Sequence, residues 1–350
     1  MATLGPVRDA HRLDLPRLAE YLRGRGLEAF RDGASALQYE GGQSNPTYRL
    51  EASGEYFVLR KKPPGELLPS AHLVEREYRV MKALADTDVP VPRALDLCED
   101  ETVLGQTFFL MEHVDGRIPT GPALPEVDRP EERAAIYDAM NRALAALHAV
   151  DWRRIGLADF GKPTGYVSRQ IALWTRQYEA SKGGPVAAMD ALIEWLPGAI
   201  PPDEETTIAH GDFRLDNMMW HPSEPKVIAV LDWELSTLGH PLADLAYQCM
   251  GMRMPQRGAK MAGMQGVDRK ALGIPTEQEY VDMYCQRRGI DKIDNWEFYL
   301  AFSFFRLAAI CQGVAKRAVD GNASSKEASQ VGALVKPLAE MAVDIIHNGA

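Results

Sequence analysis

The sequence has few of the features that mark several protein classes. Its four cysteines, Cys98, Cys249, Cys285 and Cys311, are far apart and form no CxxC pair. This spacing argues against a disulfide framework or a zinc site and favours reduced core thiols. Basic residues are also in deficit, since 39 Lys and Arg stand against 49 Asp and Glu, for a formal net charge of −10. The deficit argues against a nucleic-acid partner, because such proteins neutralise phosphates with a broad basic face.

Long apolar runs are missing as well. The first eight residues lack the apolar core of a signal peptide. The most apolar late stretch, 301–315, is interrupted by Arg306 and Gln312 and is shorter than a bilayer requires. We find no internal repeat and no low-complexity segment. These observations predict a cytoplasmic protein with no membrane partner.

The chain changes character near residue 115. Before this point, the pattern predicts short strands over 48–50, 56–60 and 107–111 and one helix over 73–84. After it, helical spacing dominates near 131–150, 166–181, 185–195, 241–251, 276–288 and 295–319. The one β-rich interruption runs from Thr206 to Asp232. The order predicts an α+β fold with a small β-rich lobe over 1–113 and a larger, mainly helical lobe over 114–350.

The most informative segment is HGDFRLDN, residues 210–217. Its Asp212 and Asn217 have the H-x-D-x-x-x-x-N spacing of a kinase catalytic loop. Asp212 is placed to accept the proton of an attacking hydroxyl, and Arg214 is a candidate guanidinium for the transferring phosphoryl group. The alternative is that these side chains only cap turns. A second acidic residue, Asp232, lies 15 positions after Asn217 and favours the catalytic interpretation.

A hairpin is predicted directly after this loop. Strand-like runs over 218–221 and 227–231 flank the turn-forming residues Pro-Ser-Glu-Pro-Lys. Such a hairpin would place Asn217 opposite Asp232 at its open end. An amide oxygen and a carboxylate are oxygen ligands of the kind that a hard cation such as Mg²⁺ prefers. We therefore predict Asn217 and Asp232 as metal ligands.

A glycine-containing segment lies between two predicted strands of the small lobe. Glycines allow backbone N–H groups to approach phosphates closely, and neighbouring polar side chains add donors. A hairpin turn is the alternative, because such turns use Gly-Gly pairs as often. The predicted phosphate-binding residues are Gly41, Gly42, Gln43, Ser44 and Asn45.

The next basic strand end offers a phosphate-binding cation. Alternation along a strand directs Val58 and Arg60 to one face, so that Val58 covers the adenine and Arg60 reaches the phosphates. Lys61 is the rival, because a bulge would switch the faces. Within the predicted helix, Glu77 is the expected carboxylate partner of this cation, and Glu75 is the alternative. A solvated basic strand end also explains the pattern.

The connection between the lobes is Phe109–Val114. Its backbone N–H and C=O groups are predicted to bind the adenine ring, and Met111 is the apolar neighbour. Met111, Glu112 and Val114 complete the predicted nucleotide-binding set.

Other chemically notable residues have structural explanations. His148 ends an apolar helix face and is interpreted as a core histidine, and Asp244 as a brace of the catalytic loop. The segment 250–273 combines methionines with basic residues, which suits either a lid over an acyl chain with an anionic head group or an ordinary surface loop. Core or pocket-wall aromatics are expected at Trp152, Trp174 and Trp195.

Over most of its length the sequence resembles the aminoglycoside phosphotransferase family, which shares the two-lobed protein-kinase fold. The motifs that carry this resemblance are GGQSN at 41–45, VLR at 58–60, Glu77 with Leu84, LAALH at 144–148, HGDFRLDN at 210–217 and LDWE at 231–234. Within the family, it most resembles the kinase-like domains fused to acyl-CoA dehydrogenases in animals and their free-standing bacterial relatives. The runs 57–65, 68–72 and 233–241 carry this narrower similarity.

The resemblance implies a function and its cofactors. Asp212 would be the base, Asn217 and Asp232 the Mg²⁺ ligands, and ATP the phosphate donor, with GTP left open. The acceptor would be a hydroxyl of a small molecule, such as a 4-hydroxyacyl-CoA, although the wider family also uses sugars, choline, amino-alcohols and antibiotics. The alternative is a nucleotide-binding pseudokinase that scaffolds an acyl-CoA dehydrogenase.

Departures from the protein-kinase pattern argue against a peptide substrate. Gly211 replaces the Arg that reads a phosphorylated activation loop, and Trp233-Glu234 replaces the Phe-Gly after the metal-binding Asp. About ten residues separate Asp232 from the next predicted helix, and Ala-Pro-Glu is missing. A peptide-docking activation loop and its control by phosphorylation are therefore not expected.

Overall fold

The computed structural model describes residues 3–40, 45–65, 72–202, 205–256, 262–319 and 331–349. The chain divides into two compact units. The first contains Met1–Ile118 and Asn217–Ser236, and the second contains Pro119–Asp216 and Thr237–Ala350. The predicted phosphate-binding residues 41–44 lie outside the described part.

The described residues form the following strands and helices. Its strands are β1 (Leu4–Gly5), β2 (Ser35–Tyr39), β3 (Thr47–Ala52), β4 (Glu55–Lys61), β5 (Ala94–Cys98), β6 (Phe108–Glu112), β7 (Thr207–Ala209), β8 (Met218–Trp220), β9 (Val227–Val230) and β10 (Thr237–Gly239). The first four helices are α1 (Leu15–Gly24), α2 (Val74–Leu84), α3 (Glu101–Leu104) and α4 (Pro130–Ala149). The others are α5 (Tyr166–Ser181), α6 (Ala187–Gly198), α7 (Pro241–Arg253), α8 (Arg269–Leu272), α9 (Glu277–Arg288), α10 (Trp296–Val319) and α11 (Val335–Asn348).

The first unit is built on a six-stranded antiparallel sheet with the order β1-β2-β3-β4-β6-β5. The predicted hairpin between β3 and β4 is confirmed, with Thr47 opposite Arg60 and Ala52 opposite Glu55. Ser53 and Gly54 form the turn, and both have positive φ (50° and 78°), as a tight two-residue turn between twisted strands requires. The pairing of β4 with β6 is regular from Phe57 to Lys61.

Two helices flank this sheet. Helix α1 begins at an Asp14 cap, which accepts the Arg17 N–H, and it buries Leu18 and Leu22 in a cluster with sheet residues such as Tyr48. Helix α2 matches the predicted helix to within one residue at its start and packs near β5 and β6. It buries one charged residue, Glu77, along with its apolar stripe.

The hairpin of β8 and β9 also belongs to the first unit. Met218 pairs with Val230, which confirms the predicted hairpin. The Val230 N–H donates to the Pro90 carbonyl at 2.8 Å, and Trp220 exchanges backbone hydrogen bonds with Arg117. These bonds connect the hairpin to the first 118 residues. The structural division therefore differs from the sequence-based lobe boundary after residue 113, which assigned the hairpin to the helical lobe.

The second unit is mainly helical, and α10 packs against α5, α7 and α11. By length and composition, Trp296–Ala318 could cross a membrane, but a core helix passes the same test, and 72% of the apolar window is buried inside the protein. The prediction that the apolar stretch 301–315 is too short to span a bilayer was wrong, because this stretch lies within a helix of 24 residues. The strand β10, which the sequence pattern did not indicate, pairs with β7.

Candidate active site

The segment after β7 is held by a buried carboxylate. Asp244, on α7, accepts the backbone N–H groups of His210 and Gly211 at 2.6 and 2.9 Å. His148 Nε2 lies 3.4 Å from the same carboxylate, and His148 Nδ1 lies 2.7 Å from the Tyr284 hydroxyl. Burial would raise the pKa of Asp244, but the hydrogen bond and charge of His148 and the loop donors outweigh it and lower that pKa. The interpretations of Asp244 as a brace and His148 as a core histidine are confirmed.

The brace leaves the Asp212 carboxylate partly accessible, with 22% of its side chain exposed. The Asp212 N–H donates to His210 Nδ1 at 3.2 Å, and Gly211 before it has a φ of 85°, in the region that favours glycine. Tyr247, on α7, lies close enough to the carboxylate for the charge of Asp212 to act on its hydroxyl. Burial, and then the charge of Asp212, raise the pKa of Tyr247 well above its ordinary value. This tyrosine therefore keeps its proton.

Arg214 lies among the carboxylates of its own loop. Its Nε is 3.4 Å from Asp212 Oδ1, and its Nη2 donates to Asp216 at 2.9 Å. The guanidinium also lines a cavity of about 130 Å³ in the second unit. Its predicted contact with a transferring phosphoryl group stays a prediction.

The cavity of the second unit has a largely apolar wall. Tyr247 lines it beside Arg214, and the surrounding apolar side chains are Met250, Met252, Met254, Met264, Leu307 and Pro122. Four of these methionines come from the segment 250–273. Two basic residues of this segment have partners within the protein: Arg253 forms an ion pair with Glu277 at 2.6 Å, and Arg269 donates to the Met252 carbonyl at 3.5 Å. Residues 257–261 lie outside the described part of the chain. These methionines therefore form part of the cavity wall, and the lid hypothesis for this segment stays a prediction.

In the first unit, Arg60 on β4 is surrounded by carboxylates. Its guanidinium lies 3.3 Å from Glu77, 3.3 Å from Asp232 and 3.7 Å from Glu234. The predicted pairing of Arg60 with Glu77 is confirmed, while the alternative partner Glu75 pairs with Lys62 at 3.0 Å.

The rival cation Lys61 occupies a different environment. The strand pairing around it contains no bulge that would switch faces. Lys61 is buried, and burial lowers its pKa. Arg60, and not Lys61, therefore has the carboxylate partners expected of the phosphate-binding cation.

Burial destabilises the ionised form of Glu77. Its carboxylate is 2% exposed, and burial raises its pKa to about 7 although Arg60 opposes this shift. Asn45 Nδ2 donates to Glu77 at 3.3 Å, and Asn45 Oδ1 lies 3.1 Å from His72 Nδ1. The Asn45 side chain therefore supports Glu77, and its predicted contact with a phosphate stays a prediction.

A second cavity, of about 190 Å³, lies in the first unit beside Arg60. Its lining includes the predicted residues Val58, Met111, Glu112 and Val114, together with Met81, Phe109, Met219 and Leu231. An apolar cleft with a few polar groups suits a flat aromatic ring. The Glu112 N–H donates to the Arg93 carbonyl at 3.0 Å, and the predicted contact of this connection with adenine stays a prediction.

The predicted metal ligands flank the open end of the β8–β9 hairpin. The Leu231 N–H donates to the Asn217 carbonyl at 2.8 Å, which brings the backbone of Asn217 next to that of Asp232. Asp232 has left-handed backbone angles (φ 63°, ψ 61°), and 38% of its side chain is exposed. In the described part of the chain, no three His, Cys, Asp or Glu side chains form a metal-binding group. An amide and a carboxylate completed by water and phosphate oxygens fit Mg²⁺.

The division of the chain into two units falls between Asp216 and Asn217, within the segment 210–217. Asp212 belongs to the second unit, whereas Asn217 and Asp232 belong to the first. The convergence of these three side chains stays a prediction. Sequence reasoning did not single out Glu234 or Tyr247, although Tyr247 lies three residues after Asp244 on the same helix and thus shares its face.

An antiparallel sheet with a buried Arg–Glu pair and a helical unit with a braced H-x-D loop define a kinase-like protein. The model of the phosphotransferase enzyme family (APH) matches residues 35–295, and the chain belongs to this family. The mouse protein acyl-CoA dehydrogenase family member 10 is 49% identical over 339 residues, which are 97% of this chain and 32% of the mouse protein. The chain thus spans about a third of that relative.

Solved structures extend the comparison. A Ralstonia eutropha protein assigned as an aminoglycoside phosphotransferase is 49% identical, with a TM-score of 0.86 over 95% of this chain and 97% of that one. A complex of aminoglycoside phosphotransferase APH(4)-Ia with AMP-PNP and hygromycin B is 18% identical (TM-score 0.60, 91% and 96% covered). Choline kinase from Cryptosporidium parvum is 12% identical (TM-score 0.61, 90% and 91% covered). The last two show the fold alone, and the predictions of the family and of the kinase-like fold are confirmed.

Proposed function

We propose that the protein transfers the γ-phosphoryl group of ATP, with Mg²⁺, to a hydroxyl of a small molecule. The observation that carries this proposal is the environment of Asp212. Its carboxylate is partly exposed, lies 3.4 Å from Arg214 Nε, and follows a loop whose backbone is bound by Asp244. A fixed, accessible carboxylate at this position of the loop is what a base for a hydroxyl nucleophile requires.

The first unit would bind ATP. The apolar cleft next to Val58 and Met111 suits the adenine, and Arg60 would contact the phosphates while Glu77 holds its guanidinium. Asn217 and Asp232 would hold Mg²⁺, which supplies charge neutralisation for the triphosphate. Phosphates and a cation would then replace the pairing of Arg60 with Asp232 that the structure shows.

The second unit would bind the acceptor. Asp212 would accept the proton of the acceptor hydroxyl, and Arg214 would stabilise negative charge on the transferring group. The methionine-rich cavity favours an acceptor with an apolar body, because thioether side chains adapt to irregular apolar shapes. A hydroxyacyl-CoA, such as a 4-hydroxyacyl-CoA, combines an apolar chain with a hydroxyl. The name of the mouse relative supports an acyl-CoA acceptor, and a cytoplasmic location is part of this proposal.

A second candidate is a pseudokinase module that binds nucleotide and scaffolds an acyl-CoA dehydrogenase. It is favoured by the length of the mouse relative, of which this chain covers 32%. Against it, the sequence retains Asp212, Asn217 and Asp232, the residues that catalysis would need.

Substitution of the base separates the two candidates. We expect Asp212→Asn to lower acceptor-dependent ADP release by about 10²–10⁴-fold, the usual contribution of a general base, with AMP-PNP binding retained. Asp282→Asn, which changes an exposed aspartate on α9, serves as the matched control and should retain wild-type turnover. Equal rates for the two variants, or an inactive wild type that still binds nucleotide, would favour the pseudokinase.

The acceptor class is tested by a panel measured for ADP release. Hydroxyacyl-CoAs of several chain lengths would be compared with free hydroxy acids, sugars and amino-alcohols at equal concentration. We expect turnover with hydroxyacyl-CoAs and a preference that depends on chain length, because the apolar cavity has a limited volume. Turnover with sugars or amino-alcohols alone would rule out the acyl-CoA acceptor.

A further inference from the structure

An arginine is buried within the most apolar helix of the protein. Arg306, on α10, is 4% exposed, and its Nη2 donates to the Gly211 carbonyl at 2.5 Å. Its Cζ lies 5.2 Å from the ring centroid of Tyr247 and 5.6 Å from that of Trp174. A buried guanidinium is costly unless it is compensated, and aromatic faces and a carbonyl oxygen compensate it here. Arg306 thus connects α5, α7 and the loop that carries Asp212.

Tyr247 links this arginine to the base. Its ring lies beside the Arg306 guanidinium, and its hydroxyl is near enough to Asp212 for the charge of that carboxylate to act on it. The same side chain lines the methionine-rich cavity. Tyr247 therefore adjoins the Asp212 base, the buried Arg306 and the cavity proposed for the acceptor.

We propose that Tyr247 is a positioning residue whose hydroxyl donates a hydrogen bond to the Asp212 carboxylate and orients it, and that Arg306 fixes the Tyr247 ring and the Gly211 carbonyl in this arrangement. The inference rests on the proposed phosphotransferase function. An acceptor that fills the cavity contacts the ring that orients the base, so binding of the correct acceptor and alignment of Asp212 are coupled.

The role of Tyr247 involves no change in its own bonds. In the transfer, the acceptor oxygen forms a bond to the γ-phosphorus, the bond from that phosphorus to the bridging oxygen breaks, and ADP leaves with the bonding electrons. The acceptor proton passes to Asp212 and from there to solvent. Tyr247 keeps its proton throughout and acts through the direction of the carboxylate.

Tyr247→Phe tests the hydrogen bond while it preserves the ring that contacts Arg306. We expect kcat to fall roughly ten- to a hundredfold, the effect of losing a hydrogen bond to a charged group, while the KM for ATP is unchanged. The KM for the acceptor should also stay within about twofold of the wild-type value, because the ring that lines the cavity is retained. A purely structural role would not separate kcat from KM in this way.

The matched control is Tyr178→Phe. Tyr178 is a fully buried tyrosine of α5, and in the described residues its hydroxyl has no hydrogen-bond partner. This control should show wild-type kcat and KM values. If Tyr247→Phe has a kcat within twofold of the control, the proposal is overturned.

Hydrogen exchange of the peptide containing 210–214 provides a readout that does not depend on turnover. We expect faster exchange there in Tyr247→Phe and in Arg306→Lys, which keeps the charge but loses the planar fork, and no change in Tyr178→Phe. If the wild-type protein turns over none of the acceptors, the proposed function is refuted. If the exchange of this peptide is also unchanged in Tyr247→Phe, the positioning role is refuted as well. If Arg306→Lys does not fold, Tyr247→Phe alone decides.

Discussion

The two units use carboxylates in opposite ways. In the first unit, three carboxylates, those of Glu77, Asp232 and Glu234, surround the single guanidinium of Arg60. In the second, the one carboxylate of Asp244 accepts two backbone N–H groups and lies next to His148. Three carboxylates thus share one guanidinium in the first unit, whereas one carboxylate accepts from several donors in the second.

The difference indicates what each carboxylate does. A carboxylate that is saturated with backbone donors at 1% exposure has no capacity left for a ligand, and its role is to hold the loop. A partly exposed carboxylate such as Asp232, which shares one cation with two others, gains from an additional cation. The first unit is therefore suited to binding a cation and the second to keeping a loop in place. Three predictions test this contrast.

The largest expected effect is on Asp244. Asp244→Ala leaves buried N–H groups without an acceptor, and we expect the free energy of unfolding to fall by about 3–5 kcal/mol. The measurement is urea unfolding followed by circular dichroism. Asp190→Asn, which removes a carboxylate from the largely exposed pair with Lys182, should cost less than about 1 kcal/mol. A comparable loss in the two variants would remove the distinction between the saturated carboxylate and an ordinary surface one.

The second prediction concerns the pH dependence of Glu77. Because burial raises its pKa from 4.5 to about 7, the folded protein retains a proton that the unfolded chain releases. The contribution of Glu77 to stability is therefore greatest below pH 4.5 and declines as the pH rises through 7. Relative to Glu77→Gln, the wild type should lose up to about 3 kcal/mol between pH 4.5 and 8.

The measurement is thermal or urea unfolding of the wild type and Glu77→Gln across this range. Parallel stability curves for the two proteins would show that the pKa of Glu77 is the same in the folded and the unfolded protein. In that case, Arg60 would fully compensate the buried charge.

The smallest expected effect compares two neighbouring cations of the first unit. Arg60→Met should weaken Mg²⁺–AMP-PNP binding about tenfold or more, because the carboxylate cluster loses its guanidinium and the phosphates lose a donor. Lys62→Met removes the partner of Glu75 from the same strand end and should change the affinity less than twofold. Isothermal titration calorimetry distinguishes them. Equal losses would mean that general positive charge at this strand end, and not the position of Arg60, determines binding.

Several features of this protein follow from local sequence. The turn residues Ser53 and Gly54 and the alternation around them determine the β3–β4 hairpin, and the H-x-D-x-x-x-x-N spacing singles out the loop that carries Asp212. The period of two along β4 also placed Arg60 on the face that meets Glu77. These features are readable because they depend on residues a few positions apart.

Other features depend on long-range packing. The inclusion of the β8–β9 hairpin in the first unit depends on backbone bonds to Pro90 and Arg117, more than 100 residues earlier. The sequence marked Arg306 only as an interruption of an apolar run, whereas the fold brings it to Gly211, 95 positions away. Local propensity carries no information about such partners, because burial and charge compensation are decided only when distant helices pack together. The sequence of residues 210–217 was thus sufficient to predict the chemistry of this loop. Which side chains hold the loop in place was decided only by the tertiary structure.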